Sequence, residues 1–163
     1  MKRLISSFVV AGAILLMMVG SAQASGAGAV STTQTFHNAT QTFVPPNPMA
    51  VNPCTGALGT LTITYNGVAH VTFLTSGVGA GTGWATFTAT GTFTFAGVDG
   101  VTFKGRFTAW DGQNFNLQNF AATSILVVHG TGSDGSSLTF HDVAHFSVSA
   151  SGITLSFDKP TCG

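Results

Sequence analysis

His141-Asp142-Val143-Ala144-His145 is the stretch of this chain most suggestive of chemistry. Two histidines four apart chelate a metal when they sit one turn apart on a helix. Here Leu138, Phe140, Ala144, Phe146 and Val148 share one parity, which is the period of a strand. Strand residues four apart lie on one face but ~13 Å from each other, so His141 and His145 cannot share an ion. The plain reading is a polar ladder. The metal arrangement left is a weak one, His129 and His141 across a hairpin with His70 or His37 as third ligand. Asp142 falls on the apolar parity, where a carboxylate must be hydrogen-bonded, paired or protonated. Either a bulge turns it outward, or it is a polar anchor in a ligand cavity, with Ser124 or Tyr65 beside it.

Other reactive arrangements are poorly supplied. A glycosidase needs two carboxylates at a set separation, and the only acids are Asp99, Asp111, Asp134, Asp142 and Asp158. Serine, histidine and aspartate all occur, but no G-x-S-x-G elbow presents a nucleophile. Gly77-Val78-Gly79-Ala80-Gly81 mimics a phosphate-binding fingerprint, yet no helix follows it. No cofactor motif stands. Trp84 and Trp110 sit on the parity opposite their strands' phenylalanines, which predicts exposed or rim positions.

The elements that would position these residues are strands. Between Trp84 and Ala96, Phe87, Ala89, Gly91, Phe93 and Phe95 alternate with threonines, apolar side inward. Leu61, Ile63 and Tyr65 alternate likewise, as do Ala69, Val71 and Phe73. Val101, Phe103, Gly105 and Phe107 follow, and Ile153, Leu155 and Phe157 close the series. Phe120 to Gly130 is apolar on both parities. Asn66-Gly67 predicts a two-residue hairpin. Gly97 to Gly100, Gly132 to Gly135 and Ser151-Gly152 predict further turns. Pro45, Pro46, Pro48 and Pro53 keep Val44 to Gly59 out of any central strand. Counted this way, seven strands separate Cys54 from Cys162. An odd number would leave the cysteines at opposite ends of the sheet, unless a strand is split or the Lys159-Pro160 tail or the proline loop runs along the wall. Trp110 to Phe120 is the place for an extra strand pair.

The N-terminus sets the compartment. Lys2 and Arg3 precede an apolar run from Leu4 to Gly20, and Ala22-Gln23-Ala24 offers a signal-peptidase site. That is a secretory leader, residues 1–24, cut before Ser25, and it leaves no membrane span. The remainder, 25–163, is the size of one domain, with 25–32 a loose arm. Its cations are Lys104, Arg106 and Lys159 alone, too few and too scattered for a nucleic-acid binder. Cys54 and Cys162 are the only cysteines. The exported setting favours a bridge over two buried thiols, and closing so long a loop is worth roughly 4–5 kcal/mol before strain.

Three segments carry a resemblance: His129-Gly-Thr-Gly-Ser-Asp-Gly-Ser136, Phe140-His-Asp-Val-Ala-His-Phe-Ser-Val-Ser-Ala150 and Phe157-Asp-Lys-Pro-Thr-Cys-Gly163. With Asn52-Pro-Cys-Thr-Gly56 and Gly105-Arg-Phe-Thr-Ala-Trp110, they resemble a group of small secreted bacterial proteins with paired cysteines. The resemblance implies export, an all-β fold and paired cysteines, and brings no catalytic residues.

The expectation is an all-β domain, one antiparallel meander of about eight strands. It closes into an up-and-down, lipocalin-like barrel, with a two-sheet sandwich as the alternative. The leading function is a secreted, extracellular, non-enzymatic binding or surface module. Its partner is a small hydrophobic ligand held in the barrel, with Asp142, Ser124, Tyr65, Phe103 and Phe140 as ligand-binding residues, or a cell-surface component. The alternatives are a structural or adhesive protein and a small barrel enzyme of cyclase or isomerase type.

Overall fold

A computed structural model of the chain describes residues 24–26 and 28–163. Residues 1–23 lie outside them, and with them all of the expected leader, 1–24, but Ala24. The strands are β1 (Ala24–Gly26), β2 (Ala29–Phe43), β3 (Gly59–Leu74), β4 (Gly83–Gly97), β5 (Thr102–Phe115), β6 (Phe120–Gly132), β7 (Ser137–Ser149), β8 (Gly152–Asp158) and β9 (Thr161–Cys162). β1 to β8 pair in chain order, each antiparallel to the next, and β9 pairs with β7. This is an antiparallel meander in a single sheet, not the two sheets of a sandwich. Among the described residues no ladder joins β2 to β8, so the expected closure of a barrel is not made.

The strands are fewer and longer than the turn signals suggest. Asn66-Gly67 is no hairpin; it lies inside the 16-residue β3. Tyr65 and Ala69 face the same way, as in one uninterrupted strand, whereas a two-residue turn would pair Tyr65 with Val68 and reverse that parity. The irregularity sits opposite, on β2. Phe36 pairs Gly67 and Ala39 pairs Tyr65, so His37 and Asn38 together oppose Asn66. Asn38 takes a left-handed φ of 49° and its N–H donates to Asn66 Oδ1 at 2.9 Å, a bulge pinned by a side chain. No extra strand pair occurs between Trp110 and Phe120. β5 runs on to Phe115, and Asn116 Oδ1 accepts from the N–H groups of Gln118 and Asn119 in the turn to β6. The segment 25–32 is not simply a loose arm, because Ala29 to Thr32 pair with Val71 to Leu74.

One face of the sheet buries itself, with no second layer to cover it among the described residues. Ala69, Phe87, Ala89, Phe93, Phe95, Phe103, Ala122, Leu138, Phe140 and Ala144 are all buried, and all lie on that face. Among the described phenylalanines only Phe157 is on the other side, beside His145. A flat sheet would leave both faces wet, so the burial of one face requires the sheet to curl around it. Packing crosses strands that do not pair: the Phe36 ring on β2 lies 6.1 Å from Phe87 on β4. Gly105 and Gly130 are cross-strand partners that make room for a neighbour. A Cβ on Gly130 would come within 2.7 Å of the Phe93 ring.

The ends of the meander are tied together at one rim. The segment after β2 is irregular, as its prolines require. Within it Asn52 is buried, and its Oδ1 accepts from the N–H groups of Cys54 and Thr55 at 2.9 and 3.1 Å. That turn presents Cys54 to Cys162, 108 residues away, in a disulfide. Cys162 belongs to β9, opposite Phe140. The tail from Lys159 to Gly163 runs along β7, through Lys159 N–H to Val143 O at 3.1 Å and Gly163 N–H to Thr139 O at 3.0 Å. With β3 one strand rather than two, six full strands separate the cysteines, an even number that returns the chain to the same rim. Replacing both cysteines (Cys54→Ser with Cys162→Ser) should lower unfolding stability by roughly 4 kcal/mol in urea melts while far-UV circular dichroism keeps its β signature. Unchanged stability would mean that the bridge constrains nothing.

Candidate functional site

Inward parity turns three carboxylates into the apolar concave face. Asp111 on β5 pairs Phe87 and Ser124, Asp142 on β7 pairs Leu126, and Asp158 on β8 pairs Ala144. One row therefore crosses the sheet as Gln34, Ala69, Phe87, Asp111, Ser124, Ala144 and Asp158, one residue from each of β2 to β8. Asp142 is a diagonal neighbour of both Ser124 and Asp158, at about 7–8 Å between Cα atoms in an ordinary ladder. The remaining acids serve turns. Asp99 Oδ1 accepts from Val101 N–H. Asp134 Oδ1 accepts from the Ser136 hydroxyl and N–H, which hold that exposed carboxyl below its ordinary value.

Asp111 is the most unusual group of the row. It is 8% exposed, and no hydrogen bond or ion pair reaches its carboxyl among the described residues. Burial pushes its pKa from 3.8 up to about 6, since a low-dielectric wall penalises the charged form. Asp158 Oδ1 is likewise buried without a hydrogen-bond partner. Asp142 is 8% exposed; it stays in the ladder and faces inward rather than being turned out by a bulge. Tyr65 is buried on β3, its phenol pushed up by burial. Its ring lies tilted against Phe36 and edge-to-face with Phe87, and its hydroxyl accepts from Gln41 Nε2 at 3.4 Å. Tyr65 is thus four strands from Asp142 in the sheet, while Ser124 is beside it. Phe103 and Phe140 are buried on the same face. Phe103 packs with Phe93, Phe95 and Leu138 at the rim that carries Cys54.

No described cation shares this face. Lys104 and Arg106 are exposed on the convex side, opposite Thr94 and Thr92. Lys159 Nζ lies 5.1 Å over the Phe157 ring. The convex side is otherwise hydroxyl and imidazole: Thr40 bonds Thr64, Thr42 bonds Thr62, and His70 bonds Thr33 and Thr72. His145 bonds Thr123 at 2.7 Å and stacks on Phe157. His129 and His141 are exposed diagonal neighbours there. Among the described residues no three His, Cys, Asp or Glu side chains are grouped to hold a metal. Trp84 and Trp110 are partly exposed on the convex side, as their parity predicts.

Sequence reasoning missed Asp111 and Asp158. For Asp111 the signal was present, because the parity of Phe103, Gly105 and Phe107 runs on through Ala109 to 111. For Asp158 it was hidden. β8 slips by one residue against Ser147 and Val148, so Leu155 and Phe157 turn to the convex face and Asp158 turns inward. The expectation that Ile153, Leu155 and Phe157 share the inward face is corrected by that bulge.

Among the described residues no helix is long and apolar enough to cross a membrane. No protein-family model, curated protein or solved structure matches the chain.

The raised Asp111 value fixes the sign of a pH effect. A carboxyl whose folded pKa exceeds its unfolded one stabilises the fold below the unfolded value and loses that stabilisation as pH rises through about 6. Asp111→Asn should therefore be more stable than the parent at pH 7.5, by about 1–3 kcal/mol. It should also flatten the decline in stability between pH 4 and 6.5, read from urea midpoints. An equal or steeper decline in the variant would place the effect elsewhere.

Proposed function

We propose that the protein is a secreted binding module whose concave face takes a small, largely apolar ligand. The observation that carries this reading is the combination on one wall of packed aromatics with a buried carboxyl, Asp111, that no hydrogen bond or ion pair reaches among the described residues. A face built only for stability gains nothing from such a group, whose desolvation is uncompensated. Ligand sites characteristically join an apolar lining to a few polar anchors. Ser124 adjoins Asp111, with Asp142 diagonal to it, and Phe87 and Phe107 supply apolar wall on either side. Ala69, Ala89, Ala109 and Ala144 keep the middle of that wall low. Export accords with the leader and with the Cys54–Cys162 bridge. Full closure of the ladder between β2 and β8 would deepen the cup into a barrel, but an open seam already gives a concave wall.

An enzymatic reading of cyclase or isomerase type uses the same wall, with a carboxyl near pKa 6 as general acid or base. It lacks a second positioned group, so binding comes first. The test is uptake of a neutral hydrophobic fluorophore, N-phenyl-1-naphthylamine, by the oxidised mature chain. A saturable, one-to-one rise in emission is expected. Ala109→Trp, which raises the floor of the cup, should reduce it at least fivefold. Absence of saturable uptake at high micromolar protein would reject the ligand reading and favour a structural role.

A further inference from the structure

The charge on the concave wall is one-signed. Of the five side-chain acids, the three that are not turn residues all face inward, and the described lysines and arginine all face outward or lie in the exposed tail. Such a division is not forced by the strand pattern. Inward positions are otherwise apolar, amide or hydroxyl, and the inward neighbours in the same strand are Ala109 and Gln113 for Asp111 and Phe140 and Ala144 for Asp142. Asp111 is more than nine-tenths buried, points into the concavity by register, and has no partner among the described residues. Its neighbours across the strands are Phe87 and Ser124, an aromatic ring and a hydroxyl, neither of which can neutralise it. An anionic ligand would meet like charge. A ligand with an ammonium group would supply the missing counter-charge, and the ring of Phe87, the cross-strand neighbour of Asp111, would flank it favourably.

We propose that the site selects organic cations, namely molecules with an apolar aromatic or alkyl body and one protonated amine, and that the ammonium is held by the Asp111 carboxylate with the Ser124 hydroxyl as second acceptor. This rests on the ligand-binding reading above and narrows it. Fatty acids and other apolar carboxylates are excluded as ligands, because their head would lie against Asp111, Asp142 and Asp158. Binding requires Asp111 ionised, so affinity falls on acidification. The other titratable groups on that side are Asp142 from β7, Asp158 from β8 and Tyr65 from β3; every described histidine in the regular ladders faces away.

The test uses three probes with one body and different heads: 3-phenylpropylamine, 3-phenylpropan-1-ol and 3-phenylpropanoate, titrated calorimetrically into the oxidised mature chain at pH 7.5. The amine should bind at least tenfold more tightly than the alcohol, and the acid should not bind. Asp111→Asn should bring the amine down to the level of the alcohol. At pH 5 the preference for the amine in the parent protein should fall severalfold. If Asp111→Asn does not fold, Ser124→Lys, which places a cation beside Asp111, must remove the amine preference in the same way. Equal binding of amine and alcohol, or an amine preference that survives these substitutions, overturns the cation assignment and leaves the ligand cup standing. Failure of all three probes to bind at millimolar concentration overturns both.

Discussion

A single sheet that, among the described residues, has no helix or second sheet against it can bury one face only by curling that face onto itself, and the rest of this molecule follows from that constraint. Alternation of period two supplies the face: every second residue from β2 to β7 is large and apolar, small, or one of a few amides and acids. Curling needs room on the inner side. Gly67, Gly91, Gly105 and Gly130 lie on it, and a Cβ at Gly91 would meet Thr64 and Tyr65 well inside contact distance. The threonine-rich outer face answers the opposite need. It holds its hydroxyls in cross-strand pairs and keeps a nearly uncharged surface wet.

Without hydrogen-bonded closure between β2 and β8, the two ends of the meander are held by other means. The proline loop after β2 is fixed by Asn52 and carries Cys54 to the rim. The tail after β8 lies along β7 and brings Cys162 to the same place. The disulfide thus spans from one end of the strand order to the other. It constrains the unfolded chain over a long loop and ties the proline loop to the tail at one rim.

Much of the wall was legible from residue types alone. Phe87 to Phe95, Phe103, Phe107, Phe140 and Asp142 face inward where their alternation places them. The turns at Gly100, Gly135 and Gly152 fall at glycines with positive φ, as those turn sequences require. What was not legible came from two sources. Asn66-Gly67 is the strongest local hairpin signal in the chain, yet tertiary pairing with an equally long β4 overrides it; the unbroken parity from Leu61 to Phe73 was the better guide. The bulges at His37-Asn38 and within β8 have no marker in composition, and the second one decides that Asp158 rather than Phe157 faces the interior. The open seam between β2 and β8 is also invisible to a count of strands.

The account turns on a dry inner wall that holds an ionisable group without a partner. Carbon-detected NMR titration of the side-chain carboxyls reads this directly in the unliganded, oxidised mature chain. One carboxyl resonance should titrate near pH 6 and vanish from the spectrum of Asp111→Asn. If every aspartate titrates below about 4.5, in the range of solvated carboxyls, the Asp111 side is wet, and the curled interior with its ligand site is wrong.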